Sequence, residues 1–153
     1  MAEERWQPNV LFQTYVASNL LGAVLEREFA AHGLSRDDFG LASAIGVWGP
    51  ITPTELSARV GMPPTTLSSA LARLDRRGYV RRAPNPKDGR SHLIELTEEG
   101  DRAWREGWPA LRAAIEALER ELGGSLDEVQ DAIERLQDAA RSALAVDEAA
   151  ISQ

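Results

Sequence analysis

Apolar positions recur three and four residues apart across 8–31, at Val10, Leu11, Val16, Leu20, Leu21, Val24, Leu25 and Phe29, the repeat of an amphipathic helix. At 1.5 Å per residue that helix is about 36 Å long. His32-Gly33 closes it, because glycine accepts the left-handed backbone past a helix end. Ser35 caps a second helix, with Asp37 and Asp38 in the first turn, where carboxylates favour the helix dipole. It reaches about Val47 and breaks at Gly49-Pro50. Thr52-Pro53-Thr54-Glu55 opens a third: Thr52 caps, Pro53 sits where no amide hydrogen is needed, and Glu55 closes a capping box. It ends near Val60, Gly61 makes a turn, and Pro63-Pro64 opens a fourth helix that runs to Arg77 and stops at Gly78. Two short helices joined by a tight glycine turn predict a helix-turn-helix.

The period then changes. Tyr79-Val80-Arg81 leads outward and Ser91 to Leu96 returns, with the turn-forming, basic stretch Ala-Pro-Asn-Pro-Lys-Asp-Gly-Arg between them. This predicts a two-stranded hairpin, a wing, with Arg90 near its tip. Thr97 caps a helix running to about Leu122, in which Pro109 marks a bend or a weak point. Gly123-Gly124 ends it, and Ser125 with Glu128 forms a second capping box. Leu126, Val129, Ile133, Leu136, Ala140 and Ala143 then step by threes and fours along a coiled-coil-like seam. The expected class is mainly α with a small two-stranded β wing.

Composition narrows the function. The absence of cysteine excludes disulfides, thiolate metal sites and a thiol redox switch, and suits a reducing, cytoplasmic setting. No apolar run is long enough to predict a membrane span, and the first residues do not read as a secretory signal. A net charge of −7 argues by itself against a nucleic-acid partner. Its distribution argues the other way. Arg59 to His92 carries eight basic and two acidic side chains, so this stretch is +6 and the remainder −13. A basic segment on an acidic body holds a polyanion in one orientation; the plainer reading is a solvated charged face.

The stretch from Pro53 to Gly100 resembles the MarR family of bacterial regulators. Three features carry the likeness: Leu74-Asp75-Arg76-Arg77-Gly78-Tyr79-Val80 at the end of the helix-turn-helix, Asp88-Gly89-Arg90 in the wing, and Leu96-Thr97-Glu98-Glu99-Gly100 opening the next helix. The resemblance implies one MarR-type domain over 1–153. Its winged helix-turn-helix lobe would be 35–100, and its dimerisation helices 8–31 and 98–146. It further implies a roughly triangular homodimer that usually represses genes and is released by a small aromatic or phenolic ligand. The chain departs from the family in having no arginine near Ser69.

On this reading the recognition helix is 64–77, beginning at Pro64. Leu67, Ala70, Leu71 and Leu74 face the core, leaving Thr65, Thr66, Ser68, Ser69 and Arg73 for the major groove. Arg90 enters a minor groove, and Asp88 orients its guanidinium by a bidentate pair. Arg76, Arg77, Arg81, Arg82 and Lys87 are phosphate neutralisers, some of them structural instead. Thr52 and Thr54 meet phosphate at a helix start, or Thr52 only caps. Dimer symmetry predicts a palindromic operator with half-sites about 34 Å apart.

For a ligand between the lobes the candidates are Phe12, Tyr15, His32, Trp48, Trp104 and Trp108, with Trp6 nearby. The alternative for each aromatic is a core or interface role. His92 is structural or a phosphate contact. No metal-ligand spacing, phosphate loop, dinucleotide fingerprint or nucleophile elbow occurs, so neither cofactor, metal nor catalysis is expected. The rival reading is a winged-helix protein-interaction module without specific DNA binding.

Overall fold

Asn9 starts the first helix: its Oδ1 accepts from the amides of Leu11 and Phe12, and α1 follows over Val10–Phe29. The computed structural model describes residues 8–30 and 33–151, so Trp6 and His32 lie outside the described residues. Ser35 caps α2 (Arg36–Trp48) through the Asp38 amide. Thr52 caps α3 (Pro53–Val60) through the Glu55 amide at 3.2 Å. The predicted capping box closes only halfway, because the Glu55 carboxylate pairs with Arg59 at 2.8 Å, one turn along α3.

Gly61, at φ 66°, makes the turn into α4 (Pro64–Arg76), and Gly78, at φ 72°, ends the helix-turn-helix. Both angles lie where a side chain is strained, which is why glycine stands there. β1 (Val80–Pro84) and β2 (His92–Leu96) pair antiparallel, Val80 opposite Leu96 and Pro84 opposite His92. The sequence missed a further rung. Ile51 joins Ile94 by two backbone hydrogen bonds, which fastens the wing to the start of α3.

The long helix expected over 98–122 is two. α5 (Glu98–Glu106) and α6 (Trp108–Leu122) break at Gly107. Pro109 has no amide hydrogen and so fits only the first turn of a new helix. Gly107 lies so close to Phe39 that a Cβ would come within 2.7 Å of its ring. α7 (Asp127–Ile151) follows. At its start Ser125 accepts from the Asp127 amide at 3.2 Å, in place of the expected box with Glu128.

The core belongs mainly to the winged lobe, where Ile45, Ile51, Leu56, Leu67, Leu74 and Ile94 are fully buried. Phe29 and Phe39, 4.6 Å between ring centres, join this core to α1, and Ala110 and Ala114 let α6 pack closely on α1. Among the described residues, Val129 and Ile133 on the α7 seam are exposed, as are Val10, Leu11, Tyr15 and Leu20 on α1.

Candidate nucleic-acid interface

α4 divides as its sequence predicts. Leu67, Ala70, Leu71 and Leu74 are buried, and Pro64, Thr65, Thr66, Ser68 and Ser69 are exposed on the other side. The Ser69 hydroxyl donates to the Thr65 carbonyl at 3.1 Å, which leaves it only as an acceptor in this rotamer. Thr54 is exposed, whereas the Thr52 oxygen is engaged as the α3 cap.

The basic side chains separate into two groups. Asp38 is 6% exposed and is the one buried charged residue among those described. Arg73 donates to its Oδ1 from Nε at 3.2 Å and from Nη2 at 2.9 Å. Arg77 stands 3.7 Å from Oδ2, donates to the Gly33 carbonyl and lies over the Tyr79 ring. These two arginines fasten α4 to α2 and to the loop before it. Arg81 pairs with Glu95 across the hairpin at 2.7 Å. Arg76, Arg82, Lys87 and Arg90 are exposed and have no ion pair among the described residues.

Asp38 is the functional residue that sequence reasoning missed, since it was read with Asp37 as a first-turn carboxylate. A signal was present: Asp38 precedes Leu41, Ala42 and Ile45 by three, four and seven residues, which places it on the buried face of α2.

The expected ion pair within the wing is absent. Asp88 Oδ1 accepts the Arg90 backbone amide at 3.0 Å rather than its guanidinium. A short carboxylate in a turn readily accepts from the backbone amide two residues on. Asn85 does the same for the Lys87 amide at 3.0 Å and donates to the Ser91 hydroxyl at 2.8 Å. The tip is thus held by local polar bonds, and the exposed Arg90 guanidinium has no ion pair among the described residues.

A mainly apolar cavity of about 710 Å³ lies where α1, α2, α4 and α6 meet. Leu25, Phe29 and Phe39 line it, with Arg36 and Arg73 at its polar edge and Thr66 and Ser69 from α4. None of Phe12, Tyr15, Trp48, Trp104 and Trp108 does. Tyr15 is largely exposed on α1, and Phe12 is also on the surface. Trp48 lies under Arg59. Trp104 donates to the Ser43 hydroxyl at 2.9 Å and meets Trp108 edge-on, ring centres 5.3 Å apart. Trp104 is therefore a packing aromatic of the junction between α2 and α5. Aromatic type alone does not reveal which rings border a void.

Residues 32–91 match the model of the MarR family. The chain is 33% identical over 86 residues to the HTH-type transcriptional regulator PecS of Dickeya dadantii, covering 54% of this chain and 52% of that protein. It is 31% identical over 103 residues to the HTH-type transcriptional repressor YetL of Bacillus subtilis, covering 66% and 62%. The matches thus span about half to three-fifths of the length of these curated relatives. Among solved structures, the regulator MosR of Mycobacterium tuberculosis in complex with DNA superposes with a TM-score of 0.74 at 29% identity, over 89% of this chain and 98% of that one.

Proposed function

Since the chain belongs to the MarR family of winged helix-turn-helix transcriptional regulators, we propose that it binds a palindromic DNA operator as a homodimer and represses until a small ligand releases it. The observation that carries this reading is the sorting of its cations. Arg73, Arg77 and Arg81 are held by protein partners, while Arg76, Arg82, Lys87 and Arg90, on the recognition helix and the wing, are exposed and have no ion pair among the described residues. Unpaired cations beside the exposed hydroxyls of α4 suit phosphate neutralisation flanking base contact.

Dimerisation is supported by the apolar side chains that α1 and α7 leave in water, which a second subunit would cover. The same relatives are regulators rather than enzymes. The ligand, a small aromatic or phenolic molecule, takes the cavity bounded by Phe29 and Phe39, at whose edge Arg36 and Arg73 are paired with Asp37 and Asp38. Because Thr66, Ser69 and Arg73 belong to α4, filling that cavity acts on the helix that meets DNA.

The test is binding of the protein and of Arg90→Ala to duplexes from its own promoter and to scrambled DNA. The wild type prefers its promoter by about a thousandfold or more. Arg90→Ala loses much of that affinity while remaining folded and dimeric. Weak binding alike on all sequences would favour the protein-interaction module instead.

A further inference from the structure

We propose that a crevice between α3, α4 and the inner face of the wing seats one phosphate of the DNA backbone, with Arg82 and His92 as its recognising side chains. The proposal rests on the DNA-binding reading and adds a site to it. Arg82 is opposite Ile94 in the hairpin, and His92 is two residues before Ile94 on the same strand. Side chains of paired residues share a face, and alternate residues on a strand do too. Ile94 and Val80 are buried, so Arg82 and His92 are on the wing face turned toward α3 and α4. Arg81 and Glu95 pair on the opposite face.

Arg82 and His92 border a crevice of about 240 Å³, floored by Leu67 and Leu71 and rimmed by the hydroxyls of Thr54 and Ser68. Its lining has no carboxylate. α3 and α4 contribute only hydroxyl and apolar groups, and β1 contributes Arg82, so no acid competes for the guanidinium or the imidazole. A guanidinium, an imidazole and two hydroxyls around a small opening make a donor set for an oxyanion. Its source follows from Ser68, which is on the exposed face of α4 one turn from Thr65. A duplex lying on that face brings its backbone to the crevice. His92 then acts as a DNA contact beside the permanently charged Arg82.

The test uses the full chain and a labelled duplex of scrambled sequence, titrated from about 50 to 200 mM salt. Arg82→Ala lowers the slope of log affinity against log salt by about 0.9 per protomer. Arg81→Ala, on the outer face, leaves it nearly unchanged. His92→Ala weakens binding several-fold and His92→Gln, which keeps a side-chain donor, less so. The imidazole NMR signals of His92 shift on adding duplex to the wild type and to Arg81→Ala. Equal slopes for Arg81→Ala and Arg82→Ala, with binding by the His92 variants as tight as the wild type's, would overturn the seat and leave DNA binding intact. Shifts at His92 with inorganic phosphate but not with duplex would reassign the crevice to a free anion. A wild type that binds no duplex would remove this proposal and the DNA-binding reading together.

Discussion

Removing Arg73 should cost more than removing Asp38, although the two are partners in one ion pair. Asp38 is 6% exposed, so in Arg73→Ala its carboxylate stays out of water with only Arg77, at 3.7 Å, to balance it. Stranding a buried charge in this way costs about 3–5 kcal/mol. In Asp38→Ala the stranded groups are Arg73 and Arg77, whose side chains are 44% and 36% exposed and remain hydrated. What is lost there is mainly the two-pronged bond to a charged acceptor, about 1.5–3 kcal/mol. With a urea dependence of about 2 kcal/mol per molar, Arg73→Ala moves the unfolding midpoint by about 2 M and Asp38→Ala by about 1 M. The double variant falls near Asp38→Ala, because the stranded carboxylate is gone. Unfolding is followed by circular dichroism at one protein concentration, since dimerisation contributes to stability. A midpoint for Arg73→Ala at or above that of Asp38→Ala would refute the reasoning. If Arg73→Ala instead left stability unchanged and flattened the salt slope of DNA binding, Arg73 would be a phosphate contact and not the anchor of α4.

The wing tip gives a second discriminating pair. Asp88→Asn keeps an oxygen for the Arg90 amide and retains DNA affinity, whereas Asp88→Ala loses that bond and weakens binding about fivefold, corresponding to about 1 kcal/mol. Equal losses in both, measured by fluorescence anisotropy, would restore the ion pair with the Arg90 guanidinium. Gly100→Ala places a Cβ 1.9 Å from the Tyr79 carbonyl oxygen, so α5 must shift off the hairpin. The variant should be destabilised by about 3 kcal/mol or more in thermal or urea unfolding, and an unchanged midpoint would show that the contact relaxes freely.

Much of this fold was legible because it rests on local chemistry. Ser35, Thr52 and Thr97 cap their helices through the amide three residues on, and Gly61 and Gly78 adopt the left-handed backbone their turns require. The apolar spacing of α4 fixed which of its faces is buried, and with it the exposed row of Thr65, Thr66, Ser68 and Ser69. Each of these depends on neighbours within one helical turn, so the sequence alone contains the cause.

Tertiary structure decided what depends on distance in the chain. Arg73 and Arg77 read like Arg76 and Arg82 until folding brings Asp38, thirty-five residues before Arg73, beside them. The break at Gly107 depends on the position of the Phe39 ring as well as on Pro109. The bridge from Ile51 to Ile94 and the cavity at Phe29 and Phe39 likewise arise only where separate elements meet. A guanidinium is free for DNA only if no buried carboxylate claims it, and which carboxylates are buried is settled by packing, not by the order of residues.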